Sequence, residues 1–236
     1  MTGLAGCCFP GSLGMRGMNI LPRVEAISGP AALAYACLIS RSPFSVRLCR
    51  EFAGEVLSIV SSGSVLDVGT GPGYLALEIA KRSAGLHVTG VDLSHSMVKV
   101  ALKNARDNGL SERVSFRVGN VAKLPFEEAS FDFVVSSFSL HHWSKPMESF
   151  KEIYRVLKPD CRALIYDLGR DITRADRRLS QKKYGRIMEF AMSKLVRIHS
   201  SVPSDAVQGI LATSVVPFSE STMENDGVIL RIMLVR

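Results

Sequence analysis

Residues 65–74 read Val65-Leu66-Asp67-Val68-Gly69-Thr70-Gly71-Pro72-Gly73-Tyr74. A short apolar run carrying one acid enters a turn with three glycines, and helix-forming residues follow Pro72-Gly73. Glycines so spaced let the chain turn sharply and let a ligand lie against the backbone. The stretch therefore reads as a strand end, a ligand-binding loop and a helix start. In an open α/β sheet, ligands bind outside the carboxyl ends of the strands, where the strand order reverses, and a first βα loop is the usual place.

The same texture continues on both sides of the loop. Residues 19–62 look helical, with breaks at Gly29-Pro30 and Ser42-Pro43. Within them Val46, Leu48, Phe52, Val56, Leu57 and Val60 recur at helical spacing. Ser64–Val68 is the first predicted strand, Tyr74–Arg82 a helix, His87–Val91 a strand and Ser96–Asn108 a helix ended by Gly109. Val114–Val118 and Phe131–Ser137 read as strands, Met147–Leu157 as a helix stopped by Pro159, and Arg162–Leu168 as a strand. Strands and helices alternating at this spacing predict βαβ units and a parallel sheet. Thr173–His199 then reads as one long helix or two, and Ser204 opens a short one. Strands near Val215–Thr222 and Val228–Val235 close the chain, separated by the hairpin signal Asn225-Asp226-Gly227.

The loop's details separate three ligand classes. No lysine or Ser/Thr pair follows Gly73, so the phosphate cradle of nucleoside triphosphates is not present. The glycine spacing is G-x-G-x-G, not the G-x-G-x-x-G of dinucleotide binding. Asp67 stands two residues before the first glycine, where its charge would repel a pyrophosphate and suit a cationic, phosphate-free ligand. Asp92 lies nineteen residues after Gly73 at the end of the second strand, where a carboxylate can bind both ribose hydroxyls. Asn120 follows the third strand, within amide reach of a purine edge.

Together these segments resemble a family. D-x-G-x-G-x-G, then V-D-x-S, then the loop Gly119–Phe126, then F-D-x-V at Phe131–Val134 and R-V-L-K-P at Arg155–Pro159 are similar to class I S-adenosylmethionine-dependent methyltransferases. The likeness is greatest to the small-molecule branch of ubiquinone/menaquinone biosynthesis, and covers residues 64 to about 168 plus the closing hairpin. It implies an α/β, doubly wound, Rossmann-like sheet of seven mostly parallel strands with a C-terminal antiparallel hairpin. N-terminal helices and a helical insertion before the last helix would be added to it. The implied organisation is a disordered tail over 1–17, a helical cap over 18–62 and a methyltransferase domain over 63–236, with a helical lid at 170–202.

The implied cofactor is S-adenosyl-L-methionine. Gly69, Thr70, Gly71 and Gly73 would pack on its methionine and ribose portion, and Asp67 would hold its amino group. Asp92 would bind the ribose hydroxyls, Leu93 and Val121 would sandwich the adenine, and Asn120 would bond the exocyclic amine. The family more often has Asp at that last position, but an amide keeps an acceptor oxygen. Ser137 is a further implied contact.

After the fourth strand comes Ser139-Leu140-His141-His142-Trp143, in the loop that faces the transferable methyl in this fold. Nucleic-acid and protein amine methylases carry [DN]-P-P-[YFW] here, and this chain does not, which favours a small-molecule acceptor. His141 and His142 are the candidate catalytic bases, since an imidazole titrates near neutral pH. A purely structural role for each is the alternative, and Trp143 is expected to pack.

Composition sets the outer bounds. The chain has 236 residues, 47% of them apolar and 22% charged, which is ordinary globular usage and excludes disordered, collagen-like and disulfide-scaffold classes. Its longest uncharged N-terminal run, Ala26–Ser40, is broken by Gly29 and Pro30 and is too short for the roughly 20 residues of a membrane span. Leu4-Ala5-Gly6-Cys7 looks like a lipoprotein cleavage box, but nothing apolar or basic precedes it; Met15 and Met18 are alternative starts. Cys7, Cys8, Cys37, Cys49 and Cys161 show no metal spacing and suit a reducing cytoplasm. The charge is uneven. Residues 151–200 carry 13 basic and 6 acidic side chains, while residues 1–150 carry 14 and 12. Such a field attracts anions. Arg174, Arg177, Arg178, Lys182, Lys183 and Arg186 dominate it. An amphipathic lid is expected, with 174, 178 and 182 facing solvent or the pocket mouth and 179, 187, 190 and 191 turned to the body. It would serve an anionic small acceptor or be no more than a solvated helix face. An RNA methyltransferase using residues 170–197, or a non-catalytic cofactor-binding regulator, are the competing functions.

Overall fold

The computed structural model describes residues 42–187, 189–190, 203–212 and 216–236. The tail at 1–17, the first part of the helical cap at 18–41 and the second half of the basic segment at 191–202 lie outside the described residues. The described residues open with α1 (Pro43–Ile59) and alternate β1 (Gly63–Val68), α2 (Tyr74–Arg82), β2 (Leu86–Asp92), α3 (His95–Asp107) and β3 (Val114–Val118). There follow β4 (Phe131–Ser137), a 3-10 turn (Leu140–His142), α4 (Pro146–Val156) and β5 (Leu157–Leu168). The last elements are α5 (Arg174–Tyr184), α6 (Ser204–Ala212), β6 (Glu220–Asp226) and β7 (Ile229–Val235). Among the described residues seven strands form one sheet in the order β3-β2-β1-β4-β5-β7-β6. The first five pair in parallel and the last two antiparallel, as expected from the sequence.

Strand alternation divides the core between the two faces of the sheet. On one face Val65, Phe133, Val135, Leu164 and Tyr166 pack with Leu48, Phe52 and Val56 of α1 and with α2 and α3. On the other, Leu66, Val68, Val134, Ile165 and Ile232 meet Phe150 and Ile153 of α4 and Val207 of α6. Helix α1 is bound into this core as firmly as the crossover helices. Phe52 stacks on Tyr166 at 3.9 Å between centroids. Glu55 accepts the Tyr166 hydroxyl at 2.7 Å and pairs with Arg231. Among the described residues no helix is long and apolar enough to cross a membrane.

Three expectations need correction. First, β5 begins at Leu157, not Arg162. Leu157 pairs with Phe131, and the register then jumps so that Phe133 faces Arg162. Pro159 has no amide to donate and Asp160 is left-handed at φ 62°, so the chain buckles between the two pairings. Second, the penultimate strand starts at Glu220. Val215 lies outside the described residues, and Val216–Ser219 are not strand, because Pro217 cannot join a ladder. Third, the apolar positions expected to turn toward the body do not; of the one long helix or two expected, α5 ends at Tyr184, where Gly185 takes φ 87°. Leu179 within α5 and Ile187 and Phe190 beyond Gly185 are all exposed, Ile187 at 88%; Ala191 lies outside the described residues. The packed face is Ser180, Lys183 and Tyr184 instead. The Ser180 hydroxyl accepts the Val228 amide at 2.9 Å, and Lys183 pairs with Glu51 and Asp226. Arg174, Arg178 and Lys182 are exposed as expected.

Phe52→Ala should therefore destabilise the protein by about 3–5 kcal/mol, read from urea unfolding, because it removes the α1 ring from its stack on Tyr166.

Candidate functional site

The carboxyl ends of β3, β2, β1, β4 and β5 lie side by side, and the predicted residues fall along this line. Asp92 is in register with Val118 and Asp67 with Gly90 and Val135. Between β1 and β4 the strand order reverses, which opens a crevice above the β1 end.

Asp67 closes β1 on the α1 side of the sheet and is 1% exposed. Its Oδ2 accepts the Thr70 hydroxyl at 2.6 Å, while its Oδ1 is buried with no hydrogen-bond partner. Burial pushes this carboxyl up to about 7. The Thr70 hydroxyl opposes the rise, the Asp92 charge adds to it, and the Ala76 amide opposes it again. That amide belongs to the first turn of α2. The loop then climbs through three left-handed glycines, Gly69, Gly71 and Gly73. A Cβ on Gly69 would stand 2.3 Å from the Ser139 side chain, whereas a Cβ on Gly71 would meet nothing within 4 Å. One glycine is demanded by the protein's own packing. The other borders open space, which a ligand lying on the backbone would fill.

Asp92 at the end of β2 ties this loop down. Its Oδ2 accepts the Gly71 amide and its Oδ1 the Ser94 amide, each at 2.8 Å. Burial pushes its carboxyl above the usual range, and the two amides pull it back. Each oxygen keeps a second lone pair for a ribose hydroxyl. Leu93 is 36% exposed, an uncovered apolar surface beside the acid, and Val121 is half-buried. Asn120 departs from expectation in one respect: its Oδ1 already accepts the Ala122 amide at 2.8 Å, so one lone pair remains for a purine amine.

Ser137 ends β4 opposite Tyr166 and is half-buried. Phe138 follows at φ 52°, a conformation that a non-glycine residue holds only when its surroundings enforce it; its amide donates to the Tyr166 carbonyl at 2.8 Å. Ser139 is buried against Gly69. Its hydroxyl donates to the Val68 carbonyl, lies 2.7 Å from the Ser136 hydroxyl and accepts the Trp143 indole N–H. Trp143 packs edge-on against Phe150, as expected.

The histidines differ. His141 places Nδ1 2.8 Å from Asp167 Oδ1, and its amide donates to Asp167 Oδ2 at 3.0 Å. Asp167, at the end of β5, is fully buried. The His142 ring lies 4.0 Å from that of His141. Sequence reasoning did not single out Asp167. The signal was available: like Asp67 and Asp92, it is an acid at the carboxyl end of a buried strand.

The family described as "Methyltransferase domain" matches residues 66–165. The chain is 34% identical over 124 residues to the ubiquinone/menaquinone biosynthesis C-methyltransferase UbiE of Geotalea daltonii, covering 52% of this chain and 53% of that protein. It is 38% identical over 125 residues to the O-methyltransferase rstn1 of Aspergillus nomiae, covering 53% and 55%. The chain thus spans about half the length of these relatives. A crystal structure of a SAM-dependent methyltransferase from Aquifex aeolicus superposes with a TM-score of 0.60 at 22% identity, covering 82% of this chain and 93% of that one, which shows the fold.

Gly69→Ala should destabilise the protein by about 1–3 kcal/mol, since its Cβ meets Ser139 and its φ is left-handed. Gly71→Ala should cost only the smaller backbone term. Chemical unfolding of the two variants checks the order.

Proposed function

We propose that the chain, which carries a class I S-adenosylmethionine-dependent methyltransferase domain, transfers a methyl group from S-adenosylmethionine to a small-molecule acceptor. The observation that carries this reading is the buried, partnerless Oδ1 of Asp67 beneath a loop whose Gly71 borders open space. Such a site takes a cation lying on backbone and repels phosphate. Asp67 would hold the methionine ammonium, and the backbone of Gly69, Thr70, Gly71 and Gly73 would carry the amino-acid and ribose portions. Asp92 would bind the ribose hydroxyls. Leu93 and Val121 would flank the adenine, Asn120 would meet its amine, and Ser137 would border the sulfur end. When bound, S-adenosylmethionine supplies a methyl group on a sulfonium, open to in-line displacement.

The chain's own contribution is placement, which can supply much of the acceleration. His141 adds a proton acceptor. Asp167 accepts a hydrogen bond from Nδ1–H, which fixes the tautomer and leaves Nε2 as the basic nitrogen. An acceptor arriving as a hydroxyl or thiol would pass its proton there. A carbon or an oxygen acceptor is compatible with this arrangement, and relatives are named for both. The exposed stripe of Arg174, Arg178 and Lys182 suits an anionic acceptor. An RNA acceptor would instead give steeply salt-dependent RNA binding. The free thiols of Cys49 and Cys161 suit a reducing compartment, and a cytoplasmic location is part of this proposal.

Asp92→Ala should weaken S-adenosylhomocysteine binding by roughly ten- to a hundredfold in calorimetry; unchanged affinity would remove the ribose assignment. His141→Ala should leave cofactor affinity alone and slow methylation of hydroxyl or thiol acceptors by about 10²–10⁴-fold. Wild-type rates for that variant across an acceptor panel would exclude His141 as the base.

A further inference from the structure

We propose that docking of the cofactor's α-ammonium expels a proton from Asp67, so that binding at the β1 end is an exchange of one positive species for another. The inference rests on the cofactor reading above. It starts from what surrounds the carboxyl. Thr70 offers one hydroxyl to Oδ2, and Oδ1 has no partner. From β2 the site faces the Asp92 carboxylate, and from α2 the Ala76 amide. From α1 it faces the Cys49 thiol, which burial, Asp67 and Glu78 together push up to about 12, so that the thiol stays neutral. None of these groups is a cation.

A buried carboxylate without a counter-charge is strongly disfavoured, and the simplest relief is a proton. The partnerless Oδ1 is where that proton sits. The amide of α2 and the Thr70 hydroxyl favour the ionised form, but burial outweighs them. An arriving ammonium supplies the missing charge and donates hydrogen bonds to the same oxygen. The balance is then complete: the carboxyl O–H breaks, its proton passes to solvent, and an N–H···O bond to the ammonium forms. No oxidant or further reactant is involved.

The sign of the pH dependence follows. The folded carboxyl titrates above its unfolded value of about 3.9. Its contribution to the stability of the unliganded fold is therefore present below about pH 4 and lost as pH rises through about 7. Affinity for an ammonium-bearing ligand rises over the upper part of the same window.

The test is calorimetry of S-adenosylhomocysteine binding to the full chain at pH 6, 7 and 8, in buffers of different ionisation enthalpy. About one proton should be released at pH 6, about half at pH 7 and few at pH 8. The affinity should tighten about tenfold from pH 6 to pH 8. 5′-Methylthioadenosine, which keeps the nucleoside and sulfur but lacks the amino acid, should bind with no proton release. Asp67→Asn should bind S-adenosylhomocysteine more weakly and without pH dependence. If that variant does not fold, the comparison of the two ligands on the wild-type chain decides. Binding with buffer-independent heat and a flat pH profile would overturn the proposal and leave the cofactor reading standing. Equal proton release with methylthioadenosine would assign the proton elsewhere and also overturn it. No binding of either ligand would defeat the cofactor reading itself.

Discussion

The backbone of Gly69 and the side chain of Ser139 compete for one space, and the fold resolves the competition by giving the first no side chain. This contact joins the loop after β1 to the loop after β4. Ser139 also bonds the Val68 carbonyl, the Trp143 indole and the Ser136 hydroxyl. Most of what would hold a cofactor lies at or after the ends of β1, β2 and β3, whereas Ser137 and the histidines lie at or after the end of β4. Their spacing is set by packing at the strand ends rather than by the loops themselves, which is how a rigid frame can present reactive groups on irregular backbone.

Three acids end three strands of the sheet, and their surroundings give them different characters. Asp67 has one hydroxyl for a partner. Asp92 has two backbone amides, and their tension keeps the glycine loop near β2. Asp167 has a ring nitrogen and the amides of His141 and Leu168. The residue type and topological position are the same, yet one acid is unsatisfied, one braces the loop and one orients a side chain. Hydrogen-bond supply, not charge, separates them.

The alternation of strands and helices was legible because β1 through β4 are short apolar runs bounded by glycines, prolines and capping residues. Tyr74–Arg82, Val114–Val118 and Phe131–Ser137 match the expected bounds. What escaped the sequence was whatever depended on a distant partner. The early start of β5 comes from a pairing with Phe131, and the orientation of α5 from the hydroxyl of Ser180 meeting a turn nearly fifty residues away. The sequence left one long helix or two open at residues 173–199, and Gly185 ends the first. In the site, the strand-end acids Asp67 and Asp92 could be read from position. The Asp167–His141 pair could not, because the two residues are 26 apart in the chain and meet only where β4 and β5 finish together.

Glu55 is bonded to Tyr166, 111 residues onward, and to Arg231, 176 residues onward. Strand β7, which carries Arg231, lies between β5 and β6 and not at the sheet margin. The order of synthesis is thus opposed to the order of packing. As the chain is made, α1 can meet α2 early, but its bonds to Tyr166 and Arg231 wait for β5 and β7, and β5 stands as an unpaired edge until residues 229–235 follow. Such long-range closure slows folding and leaves an edge open to mispairing meanwhile. The nascent chain therefore holds α1 without its bonds to β5 and β7 until the last strands are made, a period in which a chaperone would have the most to protect.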